Sequence, residues 1–404
     1  MTKTNSYKRQ IIKQLYFSAT LSCSDLSLQT HKSLPLTTKM VNELLDENVI
    51  LESGYAPSTG GRRPLMYSLR PDVLYVVSVA MDQLFTRIVI MDMQRNQIGE
   101  CERFRLQLEK NPQALEILAD KIGGHIQRSG IKREKIAGIG IGMPGFVDAG
   151  KGVNYSFLES NGRTITQYLQ DKLKAPVYIE NDSSLIALAE YRFGAARDKK
   201  SAMVINLGWG IGLGLVMNGE LFRGHEGFAG EFSHIPLFSN NKLCSCGKSG
   251  CLETEASLLV VVEKARAGIS EGRLTTLKSE LLMNDPEEAS MAVIRPAEKG
   301  DKFAVELLSE AGYHIGRGVA ILIHLLNPEA VILSGRGSIA GKVWRIPLQQ
   351  ALNEHCIPRL SVNTTIEVSA LGNDAELTGA AALVMDNYEK STIRRTHYTA
   401  QTIE

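Results

Sequence analysis

The sequence contains no run of the roughly 20 consecutive apolar residues that a membrane-spanning helix requires. A secretory signal pattern is also missing, because lysine and arginine interrupt the apolar stretches of the N-terminal segment MTKTNSYKRQIIKQLYFSA. Short-period repeats and low-complexity tracts are absent as well. The first two absences argue against a membrane or secreted protein, and we expect a cytoplasmic chain without membrane contact.

The net charge of the chain is only +1. The 404 residues include 45 Lys or Arg and 44 Asp or Glu, so the chain as a whole does not look like a nucleic-acid-binding protein. The charge is unevenly distributed, since residues 1–70 contain nine basic and five acidic residues, whereas the remainder contains 36 basic and 39 acidic. A small basic module attached to a slightly acidic body is consistent with DNA binding by one end.

The first 70 residues predict a winged helix-turn-helix. Apolar residues recur at helical spacing over residues 6–18, and a short second helix is predicted over residues 22–30. A third helix is predicted over residues 37–48, after a break at residues 34–36. Two strand-like runs around a loop rich in Gly, Ser, Pro and Arg then indicate a hairpin.

From about residue 71 the pattern changes to alternating strands and helices, and it starts again in the second half of the chain. Such a pattern predicts two α/β lobes with a cleft between them. We predict a winged helix-turn-helix domain at 1–70 and a first lobe at 71–190 together with about 374–390. The second lobe is predicted at 191–373.

A run of glycines lies between two predicted strands of the second lobe. Gly208, Gly210, Gly212 and Gly214 allow the backbone to turn sharply and to approach a ligand closely. A tight hairpin without a ligand is the alternative.

Three of the six cysteines are crowded into eight residues, at Cys244, Cys246 and Cys251. In a chain expected to remain in a reducing compartment, this crowding indicates a metal site rather than disulfides. Free thiols that happen to lie close together are the alternative.

Five blocks, in the same order along the chain, resemble the ROK family of repressors, open reading frames and sugar kinases. They are GIGIGMPGFVD at 138–148, YIENDSSLIALAE at 178–190, the glycine-rich segment at 205–235, CSCGKSGCLE at 244–253 and LLNPEAVILSG at 325–335. GGRRP at 60–64 also looks like the wing of the family's repressor branch. The resemblance implies an α/β fold, in which a winged helix-turn-helix precedes a two-lobed, actin-like (ribonuclease H-like) sugar-kinase-like domain.

The resemblance also implies a zinc site and a sugar site. His234 matches the family's fourth metal ligand, so one structural Zn2+ is expected at His234, Cys244, Cys246 and Cys251. Asp182 matches the family's catalytic base. The residues expected to contact sugar hydroxyls are Asn161, Asn181, Asp182, Glu231, His234 and Glu253. An alternative is that Asp182 only caps the helix that follows it.

Departures from the family's kinase pattern indicate a lost activity. Sugar kinases of this family carry an Asp-x-Gly-Gly-Thr-Lys loop for the ATP phosphates, whereas residues 80–85 here read AMDQLF. Trp209 and Arg336 stand where the family has a small Thr and a Gly. Because phosphoryl transfer depends on positioning and neutralising the phosphates, we expect no phosphorylation and treat Asp182 as a vestigial base.

In a helix-turn-helix, the N-terminal residues of the second helix of the motif reach base edges in the major groove. Extended arginines on a wing suit the A·T-rich minor groove. We predict DNA contacts at the start of this helix and at the wing tip, from Thr37, Thr38, Lys39, Asn42, Arg62 and Arg63. A winged helix used only for protein contact is the alternative.

Together these features predict a sugar-responsive transcriptional regulator, a repressor of carbohydrate-utilisation genes, rather than an enzyme. Its expected partners are operator DNA, a sugar or sugar phosphate, and further copies of the chain in a homodimer or homotetramer. We expect the sugar to weaken operator binding. Two alternatives stay open: an active hexose kinase of the same family with Asp182 as catalytic base, and a carbohydrate-binding scaffold that binds no DNA.

Overall fold

The structure is a computed structural model that describes residues 3–58, 63–159, 162–283 and 285–389. The chain divides into two compact units, one formed by Met1–Asp182 with Leu377–Glu404 and the other by Ser183–Glu376. In the part of the chain that the structure describes, no helix is long and apolar enough to cross a membrane. The three predicted domain ranges stay a prediction.

A small helical module with a three-stranded sheet forms the start of the first unit. Its elements are α1 (Lys3–Ser18), β1 (Leu21–Ser22), α2 (Cys23–Thr30), α3 (Leu34–Asp46), β2 (Ile50–Tyr55) and β3 (Leu65–Leu69). The strands are antiparallel in the order β1-β3-β2. Helix α2 begins with a capping box, in which Ser22 and Asp25 bond reciprocally. The module is a winged helix-turn-helix, which confirms the prediction.

Helix α3, the second helix of the helix-turn-helix, begins three residues earlier than predicted. It starts at Leu34, and Pro35 lies in its first turn. Proline is accepted there because the first backbone N–H groups of a helix have no partner within the helix. The predicted break at residues 34–36 is therefore wrong, and these residues form the tip of the helix. The inner face of α3 buries Thr37, Met40, Val41 and Leu44.

A five-stranded sheet forms the rest of the first unit. Its strands are β4 (Tyr75–Met81), β5 (Phe85–Asp92), β6 (Gln97–Arg105), β7 (Ile136–Met143) and β10 (Val177–Asn181), in the order β10-β7-β4-β5-β6. A separate small ladder contains β8 (Val147–Asp148) and β9 (Val153–Asn154). Helices α4 (Ala114–Arg128) and α5 (Ile165–Leu173) cover the sheet, with valine and isoleucine side chains buried beneath them.

The second unit repeats this strand order. Its strands are β11 (Ala202–Leu207), β12 (Ile211–Met217), β13 (Glu220–Phe222), β14 (Ala330–Ser334) and β15 (Thr365–Val368), in the order β13-β12-β11-β14-β15. Its helices are α6 (Asp182–Phe193), α7 (Glu253–Ala256), α8 (Leu258–Ser270), α9 (Ser279–Leu282), α10 (Pro286–Glu298), α11 (Lys302–Leu326), α12 (Lys342–His355) and α13 (Pro358–Ser361). The last helix of the chain, α14 (Ala375–Asp386), belongs to the first unit from Leu377 onwards. Each sheet has three antiparallel strands followed by two parallel ones, which confirms the predicted α/β fold class.

Helix α1 is joined to the end of α14 within the first unit. The Lys13 Nζ atom lies 3.7 Å from the Asp386 carboxylate and 3.4 Å from that of Glu389. Arg9 donates a hydrogen bond to the backbone carbonyl of Tyr388 at 3.3 Å, and its guanidinium lies 5.3 Å from the centre of the Tyr388 ring. These contacts hold the winged module against the α/β part of the same unit.

Candidate functional site

Three cysteines and His234 lie together on a folded loop of the second unit. Two isolated β-bridges fold this loop back on itself. At its tip, the Cys244 N–H donates to the Lys248 carbonyl at 2.7 Å, and the Cys244 carbonyl accepts from the Gly247 N–H at 2.9 Å. Gly247 and Gly250 have φ values of 81° and 76°, a backbone region that favours glycine. These tight turns bring the sulfur atoms to one point.

The spacing of the four ligand atoms fits a single metal ion. The nitrogen of His234 and the sulfurs of Cys244, Cys246 and Cys251 all lie within 4.8 Å of one another. Sγ of Cys246 is 3.7 Å from Sγ of Cys251, and Sγ of Cys244 is 3.4 Å from Nδ1 of His234. Tetrahedral bonds of about 2.3 Å to sulfur and 2.0–2.1 Å to nitrogen place the ligand atoms roughly 3.5–3.8 Å apart. The cluster can therefore hold a metal ion.

Aromatic packing on helix α11 supports the turn that carries His234. Phe232 is buried, and its ring lies against Gly318, where α11 has no side chain. Phe238, farther along the loop, makes an edge-to-face contact with His314 of α11, with ring centroids 4.8 Å apart. Sequence reasoning missed this support, because Gly318 and Phe232 are far apart in the chain and neither carries a chemical group that would attract attention.

The second ring nitrogen of His234 faces other predicted sugar contacts. Nε2 lies 3.7 Å from Oε2 of Glu231, so both atoms can contact one hydroxyl group. Loss of hydration raises the pKa of Glu231; His234 opposes this shift, and the nearby carboxylate of Glu253 adds to it. Glu253 opens helix α7, and its carboxylate lies 2.5 Å from where a Cβ on Gly210 would be. Glu231, His234 and Glu253 thus form one polar cluster in the second unit.

The remaining predicted sugar contacts belong to the first unit. Asn181 ends strand β10, and its side-chain amide donates to the carbonyl of Gly145 at 3.2 Å. Asp182 is the first residue of α6. Both lie at the carboxyl end of a parallel strand, the edge at which α/β sheets bind ligands. Asn161 lies outside the described residues.

Two of the glycines in the β11–β12 hairpin make room for a helix rather than for a ligand. A Cβ on Gly212 would lie 1.9 Å from the hydroxyl oxygen of Ser183, and one on Gly214 would lie 2.3 Å from Cβ of Ala187. Glycine at these positions lets helix α6 pack directly on strand β12. For Gly212 and Gly214 the structure therefore favours the alternative of a hairpin without a ligand.

The turn between β4 and β5 contains residues 82–84, part of the segment that departs from the kinase pattern. Oδ1 of Asp82 accepts hydrogen bonds from the backbone N–H groups of Leu84 at 2.8 Å and Phe85 at 2.7 Å. The guanidinium of Arg103 lies 4.0 Å from the centre of the Phe85 ring. These two backbone donors are the kind of group that binds a phosphate, and here they bond to the chain's own carboxylate.

Trp209 and Arg336, which both depart from the kinase pattern, contact each other. The Arg336 guanidinium lies 4.2 Å from the centre of the Trp209 ring. Trp209 lies in the turn after β11, and Arg336 begins the 3-10 turn after β14, the strand that pairs with β11. The two side chains therefore stack at the carboxyl ends of adjacent parallel strands.

The candidate DNA surface is the exposed face of α3, which carries Thr38, Lys39 and Asn42. Thr37, in contrast, is fully buried. Its hydroxyl shares a 2.5 Å hydrogen bond with the Tyr7 hydroxyl and donates to the Ser33 carbonyl at 3.0 Å. The side chain is thus used inside the module and cannot reach DNA, which corrects the prediction for Thr37.

At the wing, Arg62 lies outside the described residues. Arg63 is exposed, and its guanidinium lies 6.0 Å from the centre of the Tyr55 ring. The N–H of Ala56 donates to the carbonyl of Pro64 at 3.0 Å, so the backbone stays paired beyond the ends of strands β2 and β3. Arg63 is therefore presented near the free end of the hairpin.

These features define a class of protein in which a winged helix-turn-helix is joined to a sugar-kinase-like α/β domain, with a loop whose histidine and three cysteines could hold a metal ion. The ROK family profile matches residues 84–387. The chain belongs to the ROK family.

Similar proteins include both regulators and a kinase. The chain is 28% identical over 386 residues to the xylose repressor of Caldicellulosiruptor bescii, covering 94% of this chain and 95% of the repressor. It is 31% identical over 275 residues to a glucokinase of Halalkalibacterium halodurans, covering 67% of this chain and 81% of the glucokinase. The crystal structure of a ROK family transcriptional regulator, a homologue of the Escherichia coli MLC protein, matches with a TM-score of 0.75 at 23% identity, covering 95% of this chain and 97% of that one.

Proposed function

We propose that the chain is a sugar-responsive transcriptional repressor, which binds operator DNA through its winged helix and a sugar or sugar phosphate through its ROK domain. The observation that carries the proposal is the presence of an exposed helix α3 and the Glu231–His234–Glu253 cluster in one chain. Similarity to a xylose repressor over 94% of the chain supports it. Two winged helices in a symmetric homodimer or homotetramer would read two operator half-sites.

Zinc is the metal proposed for the cysteine cluster. Three thiolates and one imidazole are a closed four-ligand set that structural zinc prefers. His234 would bind the ion through Nδ1, since this atom lies 3.4 Å from Sγ of Cys244. Nε2 then remains directed towards Glu231, so the ion fixes the orientation of the ring that contacts the sugar.

The proposed sugar contacts of the second unit are Glu231, His234 and Glu253. A sugar ring presents hydroxyl groups that both donate and accept, and two carboxylates with one imidazole can satisfy several of them. Asn161, Asn181 and Asp182 remain proposed contacts on the strength of their match to the family pattern.

We further propose that the chain does not phosphorylate its sugar. The Leu84 and Phe85 N–H groups already bond to Asp82, whose negative charge would also repel a phosphate. The stacked side chains of Trp209 and Arg336 add bulk where the family's kinases have small residues. Both features disfavour the binding of ATP phosphates, on which phosphoryl transfer depends.

The test uses purified full-length protein. A thermal-shift screen of free sugars and sugar phosphates identifies the effector, because a ligand at 100 times its Kd stabilises the fold by about 2.7 kcal/mol. Selection from a pool of random DNA duplexes identifies the operator. A specific duplex whose affinity changes with the effector supports the repressor, whereas recovery of neither ligand contradicts it.

An active hexose kinase is the second candidate. The retention of Asp182 at the position of the family's base and the 31% identity to a glucokinase favour it. A coupled ADP-release assay with Mg-ATP and the effector sugar distinguishes the two functions. We expect no turnover, and steady turnover that disappears in Asp182→Asn would establish the kinase instead.

A further inference from the structure

The tip of helix α3 is apolar and exposed. Leu34 exposes 47% of its surface and Leu36 exposes 41%, and Pro35 between them is exposed as well. The core does not require these leucines, because the buried stripe of α3 is formed by Thr37, Met40, Val41 and Leu44. Three adjacent apolar side chains therefore face outward at the end of the helix that a helix-turn-helix inserts into DNA.

The surroundings of this tip suit a polyanion. Lys39 is exposed on the same helix, and the first turn of α3 contains no acidic residue. Farther along, the carboxylates of Glu43 and Glu47 lie 2.7 and 2.6 Å from the Lys8 Nζ atom, which offsets one of their two negative charges. The start of the helix also carries the positive end of the helix dipole. The positive charge around this apolar tip is therefore complementary to the phosphates that border the major groove of DNA.

We propose that Leu34 and Leu36 read the C5 methyl groups of thymine in the major groove. Thymine is the base that presents an apolar group there, and apolar side chains recognise it by contact. The tip would then distinguish thymine from cytosine at the operator positions it covers. This inference rests on the proposed function, because it requires α3 to enter the groove.

Deoxyuridine provides the test, because it keeps the hydrogen-bonding groups of thymine and lacks only the methyl group. A duplex selected with the full-length protein is resynthesised with each thymine in turn replaced by deoxyuridine, and affinity is measured by fluorescence anisotropy. We expect one or two positions in each half-site to lose about fourfold in affinity, the factor for burying one methyl group. Equal affinity at every position would overturn the inference and leave DNA binding intact.

Variants assign the effect to the helix tip. The double variant Leu34→Ala, Leu36→Ala should bind the thymine duplex more weakly and should lose nothing further when the sensitive thymines are replaced. Lys39→Ala, on the same helix, is the matched control and should lose the same factor on both duplexes. Circular dichroism checks that each variant is folded.

Two other outcomes count against the inference. If the leucine variant loses the same factor on both duplexes, or changes the oligomeric mass of the protein, the tip has another role. If selection yields no specific duplex at all, the proposed function fails and the inference with it.

Discussion

A Cβ atom on Gly318 of helix α11 would lie 2.7 Å from the ring of Phe232, two residues before His234. Real side-chain atoms do not approach so closely, so alanine at 318 must displace the ring and the turn Phe232–His234 with it. We expect Gly318→Ala to lower the free energy of unfolding by about 1–3 kcal/mol and to weaken zinc and effector binding together. Thermal unfolding and metal titration measure the two effects.

Gly123→Ala in helix α4 is the matched control for this variant. A Cβ there meets only Leu173, at an ordinary 3.5 Å, and alanine is a better helix former than glycine. Wild-type zinc affinity in Gly318→Ala would mean that the packing of Phe232 does not position His234.

Removing one thiolate should remove the metal. Cys251 is fully buried, 3.7 Å from Sγ of Cys246. We expect Cys251→Ser to reduce bound zinc from one per chain to near zero and to lower Tm by about 5 °C or more. Elemental analysis and calorimetry provide the measurements. The control is Cys101→Ser, which changes an exposed cysteine outside the cluster and should retain the zinc. Wild-type protein purified without zinc would contradict the assignment of the metal site.

Thr37 and Thr38 should behave in opposite ways. Thr37→Val removes the buried hydroxyl that bonds to Tyr7, so we expect a loss of about 1 kcal/mol of stability and an unchanged salt dependence of DNA affinity. Thr38→Val changes an exposed side chain and should weaken DNA binding without affecting stability. Denaturant unfolding and salt-dependent anisotropy report both quantities. If Thr37→Val changed the DNA sequence preference of the protein, Thr37 would contact DNA, contrary to this expectation.

The wing arginines should contribute to the salt dependence of operator binding. We expect Arg62→Ala with Arg63→Ala to weaken binding to an A·T-rich, roughly palindromic operator, and to lower the salt slope by about one unit per lost phosphate contact. Arg345→Ala, an exposed arginine of the second unit, should leave the slope unchanged. A double variant that binds as the wild type does would show that the wing is not a DNA contact.

Sugar and operator affinities should be coupled reciprocally, typically by about 1–3 kcal/mol. We expect saturating sugar to weaken operator binding, since release by a substrate suits a repressor of genes that degrade it. Glu231→Ala removes the carboxylate 3.7 Å from His234 Nε2 and should abolish this response while leaving operator affinity without sugar unchanged. Operator titrations with and without the sugar test this. An unchanged response in the variant would place the effector site elsewhere.

Short-range features could be predicted from the sequence. Cys244 and Cys251 are close in the chain, so two glycine turns suffice to bring them together. Only the family resemblance identifies His234 as the fourth metal ligand, since spacing alone does not single out a histidine ten residues before the first cysteine.

Other features depend on packing that no local pattern encodes. The burial of Thr37 follows from where α3 begins. The local pattern around Pro35 predicts a break, although the first turn of a helix accepts proline. Gly212 and Gly214 face α6, an element that precedes them and packs back on their strand. The support of His234 by Gly318 likewise arises only once α11 is in place.

The contact between Arg9 and Tyr388 joins residues 379 positions apart. During synthesis, Arg9 is therefore made long before its partner. At about 5–20 residues per second, synthesis of the winged module, which ends at Leu69, is complete roughly 15–65 s before Tyr388 is added. The module has its own buried core, including Ile11, Leu15, Leu26 and Leu44, so it can fold during that interval. A chain terminated early would therefore carry helix α3 without the tether that joins α1 to the end of α14.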